Sequence, residues 1–245
     1  MSVCITGDIH GDVTRFSEFY IPNESELTEQ DCIIVCGDFG LIWYDKNDCK
    51  NYRIQKNNLD NLSLKPYKIL FCDGNHENFN EIYNYDIVEI YGGKVHKIRD
   101  NIYHLMRGEI YNIEDKKIFV MGGAYSIDKY LRQENFSWWE QELPNNEEYK
   151  NAIANIKNAN NKVDYIISHT APSEIIKLMG FYPDINDAEL TGFFDWVMYE
   201  TDFKRWYFGH WHIDKPFNFK HYGKNKCFRA VYLDILKIDE HFDIK

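Results

Sequence analysis

Short apolar runs punctuate an otherwise polar chain, and five of them share a form. Val3-Cys4-Ile5-Thr6-Gly7 stops on Asp8-Ile9-His10, and Cys32-Ile33-Ile34-Val35-Cys36-Gly37 stops on Asp38. Tyr67 to Cys72 passes through Asp73-Gly74 to Asn75-His76, Tyr165-Ile166-Ile167-Ser168 stops on His169, and Trp206-Tyr207-Phe208-Gly209 stops on His210-Trp211-His212. Each run has strand length, is rich in β-branched or aromatic residues, and ends at a glycine or turn. Strands without polar alternation are buried on both faces.

The intervening stretches set the connections. Val13, Phe16 and Phe19-Tyr20 have helical spacing, so a helix is expected over 13–20 with Asp12 as its N-cap and Pro22 as its end. Residues 51–62, polar with Tyr52, Ile54, Leu59 and Leu62 interspersed, predict a crossover helix. The order β-α-β-α-β up to Asn75 is that of a parallel sheet with right-handed crossovers. From Asp86 to Ala124 short β-like runs follow one another: 87–90, 94–98, 102–106, 109–113 and 117–121. Glu114-Asp115 supplies a hairpin turn, and this meander is expected to form a second sheet packed on the first. An irregular, aromatic-rich stretch through Trp138-Trp139 follows Gly122-Gly123-Ala124-Tyr125. Helices are expected over 146–159, from Pro172-Ser173, and over 188–199, with a final strand or hairpin arm over 228–238. No repeat, low-complexity tract or flexible linker interrupts the chain, so one domain over residues 1–245 is expected.

Composition narrows the partners. With 39 acidic against 28 basic residues the formal charge is −11, and extended nucleic acid, held by clustered Lys and Arg, is disfavoured. Of the six cysteines, Cys4, Cys32, Cys36 and Cys72 fall inside predicted strands, where a thiol is a small apolar filler. No Cys-x-x-Cys pair occurs, and neither a signal peptide nor a run of the ~20 apolar residues needed to span a membrane is seen. A cytoplasmic protein without a membrane partner is expected.

The strand ends carry the chemistry. Polar groups at the carboxyl ends of parallel strands lie where open α/β sheets bind ligands, so these ends would converge on one sheet edge. Asp8 and His10, at i and i+2, point to one side and can share an ion. His210 and His212 can do the same, although a turn there could aim them at different ions. Asp38, Asn75 and His169 bring the set to seven oxygen and nitrogen donors. Turn and capping chemistry explains any one of these residues alone; it does not explain why every buried run ends in a metal-capable group. Seven donors exceed a tetrahedral zinc and suit two ions sharing a carboxylate. Mixed imidazole, carboxylate and amide donors suit Mn, Fe, Zn or Ni, with manganese taken first.

In order, Gly7-Asp8-Ile9-His10-Gly11, Gly37-Asp38, Gly74-Asn75-His76-Glu77, Ser168-His169 and Gly209-His210-Trp211-His212 resemble the motifs of calcineurin-like metallophosphoesterases. The resemblance spans residues 7 to 212. It implies an α/β fold, a four-layer αββα sandwich of two mixed β-sheets flanked by helices, and hydrolysis of a phosphoester by a hydroxide bridging two metals. By motif position Asp8, His10 and His212 would hold the first divalent ion, and Asn75, His169 and His210 the second. Asp38 would bridge, and His76 would protonate the leaving group or bind a phosphate oxygen.

One motif departs. Where Ser/Thr protein phosphatases carry Gly-Asp-x-x-Asp-Arg-Gly, this chain has Gly37-Asp38-Phe39-Gly40-Leu41-Ile42-Trp43, without the Asp that orients the histidine or the Arg that grips phosphate. Arg132, beyond Gly122-Gly123, is the candidate replacement, because a planar guanidinium suits phosphate; a surface role or an ion pair with Glu134 or Glu140 is the plain alternative. The expected reaction is a one-step displacement on a phosphodiester or small nucleotide-like phosphate, with Asp38, Asn75 and His76 at the reacting centre. A phosphomonoesterase or protein phosphatase, a nuclease with a basic groove, and a non-catalytic scaffold with eroded ligands are the competing readings. His96, His104, His221 and His241 have no partner motif and are expected to be surface or satisfied strand histidines. Trp43, Tyr125, Trp138 and Trp139 either wall a cleft or simply pack.

Overall fold

The apolar runs become strands of two sheets in a computed structural model that describes residues 2–21, 23–221 and 223–240. In chain order the strands are β1 (Val3–Thr6), β2 (Cys32–Val35), β3 (Lys68–Phe71), β4 (Ile87–Ile90), β5 (Gly93–Lys97), β6 (Ile102–Leu105) and β7 (Ile110–Ile113). They continue as β8 (Lys116–Met121), β9 (Tyr165–Ser168), β10 (Arg205–Phe208), β11 (Lys215–His221), β12 (Lys224–Ala230) and β13 (Ile235–Lys237). The helices are α1 (Cys49–Leu62), α2 (Phe79–Ile82), α3 (Asn146–Asn158), α4 (Ser173–Leu178) and α5 (Ala188–Glu200).

The first sheet runs β13-β1-β2-β3-β6-β5-β4 and the second β11-β12-β10-β9-β8-β7. In each, four central strands are parallel and the outer strands antiparallel. Because side chains alternate across a strand, every central strand serves two cores. Ile5, Ile34, Leu70, Val120, Ile167 and Tyr207 meet in a layer between the sheets. Their neighbours Ile33, Val35, Ile69 and Phe71 turn outward onto Leu59 and Leu62 of α1. On the second sheet Phe119, Ile166, Trp206 and Phe208 turn onto Ala152, Ile156, Ile175, Leu190, Phe194 and Val197 of the helices. The layers are therefore αββα, and the doubly buried strands need the apolar content the sequence shows.

Four expectations are corrected. The 86–124 meander does not form the second sheet as a unit. Instead β6 pairs in parallel with β3 and carries β5 and β4 into the first sheet, while β7 and β8 open the second. The five strands bearing the candidate ligands accordingly end on two facing sheet edges, not one. The helix expected over 13–20 is a single 3₁₀ turn, Val13–Phe16. Asp12 does cap it, accepting the Thr14 N–H at 2.9 Å, but the Ser17 hydroxyl donates to the Thr14 carbonyl at 2.6 Å and competes with helix continuation. Pro22, its expected end, and His241 lie outside the described residues. The run over 228–238 is divided between sheets, β12 in the second and β13 against β1 in the first, with Asp214 accepting the N–H groups of Tyr232, Leu233 and Asp234 in the turn between them.

The other helices stand where periodicity puts them, α3 opening on a reciprocal capping box between Asn145 and Glu148. The hairpin turn at Glu114-Asp115 has both residues left-handed, the geometry of a two-residue β-turn. Among the described residues no helix is long and apolar enough to cross a membrane.

Candidate metal centre

Every candidate ligand lies just beyond a strand end, and four of the seven sit on left-handed backbone. His10, Asp38, His210 and His212 have φ values of 44°, 50°, 66° and 49°, in the left-handed region that costs a non-glycine residue about 1–3 kcal/mol. Such strain persists only where surrounding contacts over-determine it, and here the motifs lock one another. The Asp8 carboxylate accepts the His210 N–H at 2.9 and 3.1 Å, tying the first motif to the last. Asp38 Oδ1 accepts the His76 N–H at 2.7 Å, tying the second to the third. Two motif glycines make room for these contacts. A Cβ on Gly209 would fall 2.2 Å from Asp8 Oδ1, and one on Gly74 would fall 2.1 Å from Asp38 Oδ1.

The donor atoms form two overlapping groups, Asp8-His10-His212 and Asp8-Asp38-His169, each with its atoms within 4.8 Å of one another. In the first, His212 Nε2 lies 3.0 Å from Asp8 Oδ2 and 3.0 Å from His10 Nε2. In the second, His169 Nε2 lies 3.4 Å from Asp38 Oδ1 and 3.1 Å from Asn75 Oδ1. Asp38 sits between them, its other oxygen 3.7 Å from His10 Nε2. His210 is in neither group; its ring stands edge-on to His169 with centroids 4.9 Å apart. Burial lowers the His210 pKa to about 4, and the neighbouring His169 adds to that. Burial opposes charge on His169 too, but Asp38 and Asp8 outweigh it and raise its pKa.

The donor set fits divalent cations. His169 Nδ1–H donates to the Cys36 carbonyl at 2.8 Å, which leaves Nε2 free to face the carboxylates, the arrangement metal-ligating histidines adopt. Asn75 is oriented similarly. Its amide nitrogen donates to Ser126 Oγ at 3.1 Å, which turns Oδ1 toward His169.

His76 and Arg132 meet beside this cluster. The His76 and His10 ring centroids are 5.3 Å apart, and both terminal guanidinium nitrogens of Arg132 lie 3.1 Å from His76 Nδ1. A guanidinium only donates, so Nδ1 accepts and the ring proton resides on Nε2. Arg132 Nε pairs with Asp128 at 2.8 Å, not with Glu134 or Glu140. An Asp–Arg pair thus stands by the histidine, delivered from a different loop than the second motif.

A model of the family described as calcineurin-like phosphoesterase matches residues 1–214. The chain belongs to the calcineurin-like phosphoesterase family. Membership makes it a phosphoester hydrolase of a family that works with two metals. No curated protein matches it. Among solved structures, the phosphopantetheinyl hydrolase of Mycobacterium tuberculosis is similar at 14% identity with a TM-score of 0.40, covering 94% of this chain and 89% of that one.

Several residues that support this calcineurin-like site had weaker signals in sequence. Glu77, in the Gly-Asn-His-Glu motif, is fully buried, and its carboxylate accepts the N–H groups of Phe39 and Gly40 at 2.6 and 3.2 Å, holding the turn that follows Asp38. Arg15 is buried and donates to the Asp8 carbonyl, the Thr6 hydroxyl and the Tyr232 carbonyl. Tyr232 stacks on His212 with centroids 4.5 Å apart. A charged residue inside an apolar stretch could have pointed to Arg15; no local pattern points to Ser126 or Tyr232. Of the aromatic residues in question, Trp139 is buried, Trp138 and Tyr125 line a cavity with Lys129, and Trp43 lines a separate cavity with His10 and His76. His96 and His104 are buried and bonded to each other at 3.0 Å.

Proposed function

We propose that this family member hydrolyses a small phosphodiester or nucleotide-like phosphoester at a centre of two divalent ions, manganese first among them. The observation that carries the reading is the convergence of Asp8, His10, Asp38, His169 and His212 within 4.8 Å groups, with Asn75 Oδ1 alongside. Asp8, His10 and His212 would hold one ion and Asn75, His169 and His210 the other, with Asp38 between them. When bound, such ions supply Lewis acidity toward phosphoryl oxygens and make water a competent nucleophile near neutral pH.

The chain's own groups do the rest. Arg132, its N–H groups engaged by His76, Ser137 and Asp128, would set a positive charge beside the phosphoryl oxygens, a charge the second motif lacks. His76, oriented by its backbone bond to Asp38 and by Arg132, presents Nε2–H to the departing oxygen. A one-step in-line displacement with inversion suits the site, because the thiols nearest it are inert. Burial raises the pKa of Cys36 and Cys72 well above the ordinary range, and nearby acids add to this, so neither provides a thiolate nucleophile. The formal charge of −11 favours a small ester over a polyanionic duplex.

The test is a panel of aryl phosphate monoesters and diesters with added Mn. Turnover of both classes with the diester preferred is expected, and activity confined to monoesters would overturn the diester assignment. Fewer than one ion per chain after chelator-free purification, with no hydrolysis after Mn or Ni addition, would favour a scaffold.

A further inference from the structure

The cavity that opens beside His10 and His76 is walled by Trp43 and Tyr44, with Gly40 completing the lining, and encloses about 240 Å³. The two aromatic residues do not hang there loosely. Gln55, buried on α1, accepts the backbone N–H of both Trp43 and Tyr44 through one oxygen, at 2.6 and 2.8 Å, and its nitrogen donates to the Tyr44 carbonyl at 3.2 Å. Asn78 donates to the Trp43 carbonyl at 2.7 Å. Leu41 and Ile42 root the same segment in the core, and the Trp43 indole is braced edge-to-face against buried Trp139 with centroids 5.2 Å apart.

Packing against Trp139 explains why Trp43 is ordered. It does not explain why four hydrogen bonds hold a tryptophan and a 39% exposed tyrosine against the groups assigned to phosphoryl transfer. Trp138 offers a contrast. Lys129 Nζ sits 3.5 Å from the centre of its ring, so a cation of the chain itself covers that face. The Trp43 cavity lies on the His76 side of the site, where the departing alcohol would be. Its volume is below the ~300–1,000 Å³ of pockets that enclose a whole drug-sized ligand, which suits one ring system and not an oligonucleotide.

We propose that Trp43 and Tyr44 form a subsite for the planar ring, a nucleobase or comparable heterocycle, of a phosphoester bound at the metal centre. The inference rests on the phosphoester reading above and adds the substrate's second half. Stacking is indifferent to the identity of the base, since every base has a π-face, so the subsite would select nucleotides over sugar phosphates without selecting among bases.

The experiment uses the Mn-loaded full chain and two non-hydrolysable phosphonates, the analogues of AMP and of ribose 5-phosphate, which carry adenine and a hydroxyl respectively at C1′. Calorimetric titration should give the AMP analogue a Kd lower by roughly 5- to 150-fold, the range stacking of one base supplies. Trp43→Leu should erase that preference and Trp43→Phe should keep most of it. Tyr44→Ala, which leaves the Trp139 contact intact, should reduce the preference even if Trp43→Leu fails to fold. Equal binding of the two analogues by the parent, or a preference that survives both Trp43→Leu and Tyr44→Ala, overturns the proposal. Hydrolysis of p-nitrophenyl phosphate and bis(p-nitrophenyl) phosphate by the same preparation separates the two readings, turnover of either one counting as turnover. A base preference without turnover sinks the enzyme and keeps the subsite; turnover without a base preference does the reverse.

Discussion

Asn75 can face a cation with its oxygen only if its nitrogen is held elsewhere, and a single hydroxyl does this. Ser126 Oγ takes the Asn75 amide hydrogen while the Ser126 N–H donates to buried Glu142 at 3.2 Å. Ser126→Ala frees the amide to flip, and the expected result is Mn affinity weaker by about 10- to 100-fold, read by calorimetry, with the far-ultraviolet spectrum unchanged. Asp38→Asn is the sharper case. It removes the charge that faces both His169 and His10, so hydrolysis should fall at least ~100-fold and bound metal should drop below two ions per chain by mass spectrometry. Parental turnover in Asp38→Asn would leave the metal assignment without its central residue.

Behind the third motif, two strands and a loop carry a buried polar chain with no place in the expected chemistry. Asp73, one residue past the apolar run of β3, accepts from Arg107 Nε at 2.8 Å and from Arg107 Nη2, and from His104 of β6 at 3.0 Å. His104 in turn meets His96 of β5 at 3.0 Å. Burial works against the Asp73 charge, but Arg107 and His104 outweigh it and hold its pKa far below the carboxylate range. Arg107→Ala strands that carboxylate in the core and should cost about 3–5 kcal/mol of stability, read from urea unfolding.

The same network gives a pH dependence. His96 is held at about 4 by burial, reinforced by His104 and partly offset by Asp73, with Tyr83 stacked on its other face. As pH falls below about 6.5 the unfolded chain takes up this proton first, so the native state loses stability until about pH 4. The urea midpoint should therefore be lower at pH 5 than at pH 7.5, and His96→Phe should flatten the difference.

The candidate ligands come from both sheets: Asp8, His10, Asp38 and Asn75 follow strands of the first, and His169, His210 and His212 follow strands of the second. Cations held among them would tie the two layers together at one edge of the sandwich. Because the unfolded chain has no such site, metal should stabilise the whole molecule, by about 2.7 kcal/mol at a hundredfold excess over Kd. Thermal unfolding should shift upward with Mn and downward with chelator, and Asp38→Asn should lose most of the response. A Tm indifferent to metal would argue that the ligands do not bridge the sheets.

How much of this was legible depended on range. Strand-length apolar runs, the helices over 49–62, 146–158 and 188–200, and the polar group ending each run are encoded in contiguous residues, where periodicity and turn chemistry act. The ordered motifs added the family and the candidate ligands. Three-dimensional packing alone decided that β6 joins β3 while β8 joins β9, so that the site forms between two sheets and not on one edge. It also brought Arg132 to His76, Ser126 to Asn75, and Trp43 to the mouth of the site. Local patterns report which face of a strand or helix is buried, because a side chain's direction follows its own backbone. Which distant surface covers that face is fixed by complementarity between side chains far apart in the chain, and no short stretch of sequence contains both halves.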